Sequence, residues 1–281
     1  MIPMHTTIAL TRFNESGGLV SQTLKSLAVQ KDVKADVFFL DQRDDPELAL
    51  YCKKLSNNKI DFHCIRIEPI CVSFARNQAI KLCRTDSILF IDADAIAHED
   101  WAFHLSDTLI NKYAAVAGGK IIPKWHEKPS FLVKSNFIRD QYSLMDLGED
   151  LCNVPKVVGA NMGIHIRRMG IEAYFDENLG RRNGNLAGGA DIDVCERALK
   201  IKLQVKYNGQ AIVTHQILPE RLTYKWLFRR FYWGGRSKAQ KLGRLSSTPT
   251  NPRNLWDYIG IPVFLIPYMY GFLSYKFMIK K

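Results

Sequence analysis

Short β-rich runs alternate with longer amphipathic ones through the first half of the chain, and no other property restricts its fold as much. Residues 6–11, 36–40, 59–67 and 87–91 read as strands, and 19–30, 46–55, 72–82 and 101–113 as helices. That order predicts βαβ units and a mostly parallel central sheet flanked by helices. In such sheets ligands bind beyond the carboxyl ends of the strands, where loops and helix N-termini converge. The segments that follow each strand are therefore the ones to inspect for chemistry.

The rhythm loosens after Val116. Pro123, Trp125 and Pro129 mark a loop, 131–147 reads as a helix, 157–168 as a strand or extended loop, and 191–200 as a helix. A short strand is expected at 211–214, then a basic aromatic helix at 222–241, a turn-rich linker at 246–254 and an apolar tail. This organisation predicts one α/β domain over 1–218 and a basic, apolar helical appendage over 219–281. A hydrophobic fraction of 47% is enough for a proper core. The start of the chain lacks the basic cluster and apolar run of a secretory signal, so a cytoplasmic location is expected. Six cysteines without CxxC pairs fit reduced, mostly buried thiols.

Ile88-Leu89-Phe90-Ile91-Asp92-Ala93-Asp94 runs an apolar strand straight into two carboxylates. Carboxylates at that position are costly unless something compensates them. Two hard oxygen ligands at i and i+2 can hold Mg²⁺ or Mn²⁺ against a diphosphate. The structural alternative is that Asp92 or Asp94 caps a helix starting near Glu99. Residues 6–15 form a strand that opens into a polar loop at Thr11, Arg12, Asn14 and Glu15, a natural place for a nucleotide. Asp41 ends the second strand on the same edge.

At these residues the chain resembles the family 2 glycosyltransferases of the Rossmann-like GT-A fold, from about Thr7 to His215. Ser73-Phe74-Ala75-Arg76-Asn77 looks like the family's Ala-Arg-Asn segment, and Ile91-Asp92-Ala93-Asp94 like its metal motif. Gly159-Ala160-Asn161-Met162-Gly163 and Phe175-Asp176-Glu177-Asn178-Leu179-Gly180 match the acceptor-side strand and turn, which places Asn161 and Met162 beside the acceptor. The resemblance implies that Asp41 contacts the base, Asp92 lies near the ribose, Arg76 sits near the nucleotide and Asp94 ligates the metal. Gly188-Gly189-Ala190-Asp191 resembles the Glu-Asp motif in which the Asp is the general base, with Ala190 standing where the family has Glu. An inverting transfer needs such a base at the acceptor hydroxyl. The alternative role for Asp191 and Asp193 is helix capping and dipole compensation, and Asp193 is expected to be structural. His215 occupies the place where related enzymes use a histidine as a further metal ligand, and imidazole suits Mn²⁺ better than Mg²⁺.

A formal net charge of +11 attracts polyanions. Arg221, Lys225 and Arg229 share one face of the 222–241 helix; Arg230, Arg236, Lys238, Lys241 and Arg244 extend its basic character, and aromatics are interleaved. That pattern suits anionic lipid, and Arg229 or Arg230 could also reach the donor diphosphate. No nucleic-acid-binding signature accompanies the charge, so nucleic acid is not expected as a partner. The apolar run 258–275, with Trp256 before it and Lys276, Lys280 and Lys281 after it, is interrupted by Pro262 and Pro267. It predicts a surface-lying or re-entrant tail rather than a span, hence a peripheral or monotopic protein at the inner membrane face.

The expected activity is inverting transfer of a sugar from a nucleoside diphosphate donor, UDP-linked, to a glycan or lipid-linked acceptor. Two rivals remain open at this stage: a sugar-nucleotide nucleotidyltransferase, and a non-catalytic nucleotide-sugar-binding scaffold.

Overall fold

Strands that are apolar on both faces set the architecture in the computed structural model, which describes residues 4–182, 184–242 and 254–279. Strand β1 (Met4–Arg12) pairs in parallel with β2 (Val33–Asp41) on one side and β4 (Ser87–Asp92) on the other. The β2 strand pairs in parallel with β3 (Ile60–Arg66). Ile8, Leu10, Phe39, Leu40 and Leu89 have no exposed surface, the condition of a parallel sheet covered by helices on both faces. Those helices are α1 (Gly17–Ala28), α2 (Pro46–Lys54), α3 (Val72–Leu82) and α4 (Trp101–Ile110). Asp45 caps α2 by accepting the Leu48 amide, and Pro46 occupies its first turn, where the missing N–H costs nothing.

The rest of the sheet is antiparallel. Strands β5 (Ala95–Ala97), β6 (Val116–Trp125), β7 (Leu151–Asn153), β8 (Asn161–His165) and β9 (Val205–Ile217) complete the order β3-β2-β1-β4-β8-β6-β9-β5, with β7 also on β9. After the four-residue helices α5 (Asn136–Arg139) and α6 (Ile166–Met169) come the longer α7 (Ala190–Lys200), α8 (Tyr224–Leu242) and α9 (Asp257–Ile279).

Three expectations change. The helix expected over 131–147 is instead a 3₁₀ turn at Phe131–Lys134, α5, and a second 3₁₀ turn at Asp140–Tyr142. Ser135 is extended and Ser143 left-handed, so no continuous helix can form. The short strand expected at 211–214 is a thirteen-residue strand, β9. Pro262 and Pro267 do not interrupt the tail, because α9 runs through both. The expected linker lies outside the described residues apart from Asn254, as do Arg244, Lys280 and Lys281. Cys52, Cys71 and Cys195 are buried, Cys64 and Cys83 half-buried, and Cys152 exposed; all six are free thiols.

The chain divides into two compact units. The first comprises Met1–Ile122, Met145–Glu177 and Ala190–His215, and the second Pro123–Leu144, Asn178–Gly189 and Gln216–Lys281. Among the described residues no helix is long and apolar enough to cross a membrane.

Candidate active site

Register brings the acidic strand ends to one edge of the first unit. The ladder sets Arg12 opposite Asp41 and Thr11 opposite Asp92, so β1, β2 and β4 finish at the same level. Arg12 is buried there and holds the loop together. Its Nη1 donates to Asp41 Oδ2 at 3.2 Å and to Asp45 Oδ2 at 3.0 Å, and its Nε donates to the Glu15 carbonyl at 2.8 Å. Glu15 Oε2 accepts the amides of Phe13 and Asn14. Burial pushes the Asp41 carboxyl above its ordinary range, against the opposing pull of the Arg43 amide and the Arg12 guanidinium. Thr11 is buried beside these groups, and Asn14 and Glu15 shape the loop after it.

Asp92 ends β4, and the turn at Ala93 and Asp94 leads into β5. Thr23 on α1 donates to the Ala93 carbonyl at 2.9 Å and fixes that turn. Strand β5 pairs Ala95 with His215, so the antiparallel register carries His215 next to Asp94. His215 Nε2 lies 3.1 Å from Asp94 Oδ1, with the imidazole almost fully buried. A carboxylate oxygen and an imidazole nitrogen this close form a mixed donor pair that suits Mn²⁺. Neither acid caps the next helix: α4 begins after Asp100.

Arg76, on α3, donates from one nitrogen to Asp92 Oδ1 at 3.0 Å and to the Gly159 carbonyl at 3.2 Å. Its guanidinium lies over the rings of Phe90 and Phe175. The Gly159 amide in turn donates to Asp191 Oδ2 at 2.9 Å, and Asp191 Oδ1 accepts the Ile192 amide at 2.9 Å. One glycine therefore joins the strand-end carboxylate to the first turn of α7. A Cβ at 159 would stand 2.7 Å from the Arg76 guanidinium nitrogens, so any larger residue here would displace the arginine from its contacts. Sequence reasoning gives Gly159 no role of its own, and the signal it offers is a glycine just before a buried strand.

Other expected site residues are committed elsewhere. Asn161 is fully buried and ties the sheet together, accepting from Trp101 Nε1 and donating to the carbonyls of Lys120 and Ala211. Met162 is fully buried in β8 between Phe90 and Gly118. Asp193 pairs with Arg197 at 2.9 Å along its own helix, the structural role expected of it. Arg229 and Arg230 belong to the second unit, where they donate to the carbonyls of Gly184 and Leu186 and hold these two residues against α8. Asn77, quoted in the Ala-Arg-Asn segment but given no role by the sequence, donates from its amide to the Phe175 carbonyl and to Glu177 Oε1, and accepts the Phe175 amide. Among the described residues, Asp36, Asp61 and His63 group their donor atoms within 4.8 Å. Asp36 lies five residues back along β2 from Asp41, with Asp61 and His63 beside it on β3, within an ion-pair network with His5 and Arg84 and away from the carboxyl ends of the strands.

A parallel half-sheet with carboxylates at its strand ends, continued by antiparallel strands that deliver a histidine, defines an α/β protein of the GT-A class. Two solved structures share this fold. One is a mannosyltransferase from Pyrobaculum calidifontis in complex with GDP-Man and Mn²⁺, with a TM-score of 0.62 at 12% identity, covering 96% of this chain and 74% of that one. The other is GalNAc-T7 with UDP, GalNAc and Mn²⁺, with a TM-score of 0.59 at 10% identity, covering 88% of this chain and 52% of that one. The chain belongs to glycosyl transferase family 2, whose model matches residues 7–174. It is 32% identical over 171 residues to the glucosyl-dolichyl phosphate glucuronosyltransferase of Haloferax volcanii, covering 59% of this chain and 54% of the relative. It is 23% identical over 171 residues to the pre-mycofactocin glycosyltransferase of Mycobacterium tuberculosis, covering 57% of this chain and 33% of the relative. The match thus spans about half the length of the first relative and a third of the second.

Proposed function

We propose that the protein is an inverting glycosyltransferase that moves a sugar from a nucleoside diphosphate sugar, UDP-linked, to a hydroxyl of a glycan or lipid-linked acceptor. Asp191 takes the acceptor proton. The acceptor oxygen then bonds to the anomeric carbon as the bond from that carbon to the diphosphate breaks, and the departing electron pair stays on the phosphate oxygen. A single displacement of this kind inverts the centre. Each Asp191 oxygen already takes one backbone N–H, which orients the carboxylate and leaves a lone pair for the proton. Asp92 and Asp41 face the ribose and the base, and Arg76 balances the charge of Asp92. Asp94 and His215 would hold Mn²⁺ or Mg²⁺, and the ion would supply charge neutralisation for the departing diphosphate.

The contact chain from Asp92 through Arg76 and Gly159 to Asp191 carries this reading, because it ties a donor-side carboxylate to the base in one rigid arrangement. Neighbours solved with GDP-Man or UDP and Mn²⁺ support the donor class and the metal. A relative named a glucosyl-dolichyl phosphate glucuronosyltransferase supports a lipid-linked acceptor, and with it peripheral or monotopic association with a membrane, which we assign to an anionic surface on the cytoplasmic side. Thermal-shift screening of UDP- and GDP-sugars, with Mn²⁺ and with EDTA, tests the donor side. Metal-dependent stabilisation by a UDP-sugar is expected, and no response to any nucleotide-sugar would refute the proposal.

A further inference from the structure

The second unit carries a long apolar surface on one of the two segments that the sequence marks for lipid. Helix α8, with its interleaved aromatics, and the apolar tail both read from sequence as membrane-facing. Two of the α8 aromatics are packed internally, Trp226 stacking on Tyr142 and Phe231 lying against Phe137 and Phe264, while Tyr224 and Phe228 keep exposed surface. Helix α9 runs parallel to α8, since the contacts Phe228 to Phe264, Tyr232 to Tyr270 and Arg236 to Ser274 advance together. The two backbones touch at Gly235 and Gly271, where any Cβ would collide with the carbonyls of Tyr268 and Tyr232. Buried Asp257 fixes the start of α9, its Oδ1 accepting from Ser135 Oγ at 2.5 Å and from the Phe137 amide at 3.2 Å.

The other side of α9 is as apolar as the packed one. Ile259, Ile266, Tyr270, Leu273 and Phe277 recur at i, i+7, i+11, i+14 and i+18, and all are exposed, Ile266 at 73% and Phe277 at 68%. At 1.5 Å per residue this stripe is about 27 Å long. Tyr258, Leu265 and Met278 widen it, and no charge falls between Asp257 and Lys276. A helix apolar all round needs cover on every side, and soluble monomers rarely expose a patch of this extent. Charge identifies the cover. Residues 216–281 hold twelve Lys and Arg against two acidic residues, so ten of the eleven net positive charges of the chain belong to the segment that bears the stripe.

We propose that the Ile259 to Phe277 face of α9 is the lipid-contacting surface, lying in the plane of an anionic membrane with the basic side chains around it at the headgroups. This deepens the membrane placement above and rests on it. The test is co-sedimentation of the full chain with neutral and with anionic phospholipid vesicles, from low salt to about 1 M, where screening acts within ~3 Å. The parent is expected to bind anionic vesicles and to keep a salt-resistant fraction. Ile266→Glu with Phe277→Glu should reduce that fraction at least about 10-fold, since charge at the apolar boundary is costly. Lys225→Gln with Lys276→Gln should weaken only the low-salt binding. UDP affinity with Mn²⁺ should be unchanged in both pairs, so a failed transferase reading and a failed lipid reading give different results. A Tyr270→Trp variant adds no charge, and its new indole should be quenched by lipids brominated in the acyl chains. Salt-resistant binding retained by the glutamate pair, or no added quenching in the Tyr270→Trp variant, would overturn the proposal. So would a parental dimer that binds no vesicles and dissociates in the glutamate pair, which would make a second copy the occupant.

Discussion

Asp94 and His215 stand 121 positions apart in the chain, and strand register alone brings them to 3.1 Å. If they hold the ion, Asp94→Ala should abolish the Mn²⁺-dependent part of UDP affinity, because it removes the anionic oxygen that offsets the ion's desolvation. Calorimetric titration of UDP with and without Mn²⁺ reads this directly, and equal metal dependence in variant and parent would remove Asp94 from the site. Arg76→Lys keeps the charge beside Asp92 but cannot reproduce a planar guanidinium lying over Phe90 and Phe175 while also reaching the Gly159 carbonyl. Its kcat should fall about 10- to 10²-fold through misplacement of the base, with the urea midpoint little changed; an unaltered kcat would deny Arg76 a positioning role. Asp41 makes a pH prediction. Burial raises its folded-state pKa above the unfolded value near 3.8, so within that window the folded form keeps a proton that the unfolded chain has released. The Asp41 contribution to stability should therefore fall as pH rises from the ordinary carboxylate range through the raised value, while Asp45, held below that range by the Leu48 amide, contributes with the opposite sign. Asp41→Asn should flatten that fall, as urea midpoints across the range would report.

Gly159 links residue chemistry to element placement. In Gly159→Ala the new methyl meets the Arg76 guanidinium, which must leave its contacts with Asp92 and the Gly159 carbonyl, at a cost of about 1–3 kcal/mol. Urea unfolding measures that cost, and a loss below about 0.5 kcal/mol would mean that the contact is slack. The parallel half of the sheet was legible because its strands are short and uniformly apolar and its helices are amphipathic; α3 matches its expected span at both ends. Strand β9 was underestimated because Asn208, Gly209 and Gln210 interrupt its apolar pattern. There a Cβ on Gly209 would collide with the Gly148 carbonyl, a long-range reason that local pattern cannot express. The 131–147 segment has helical periodicity, yet packing overrides it: Tyr142 serves both Trp125 and Trp226. Helix α9 survives its prolines through packing on α8, which hydropathy alone does not reveal.

At the scale of the molecule, Asp41, Asp92, Asp94, Asp191 and His215 all fall in the first compact unit, while the basic and apolar character gathers in the second. The ordered acidic motifs made the candidate residues readable from sequence. Their partners were not readable, because the Arg76 to Gly159 and Gly159 to Asp191 contacts join residues 83 and 32 positions apart. Transfer at this site depends on Asp191 taking the acceptor proton. The most direct measurement is turnover of a UDP-sugar, with saturating acceptor and Mn²⁺, by the parent and by Asp191→Asn, with nucleotide products separated chromatographically and donor affinity measured alongside. The account predicts UDP and glycosylated acceptor in equal amounts from the parent, and turnover lower by about 10² or more in the variant at parental donor affinity. UTP and sugar 1-phosphate formed on adding pyrophosphate, with no glycosylated acceptor, or an Asn variant that turns over like the parent, would contradict it.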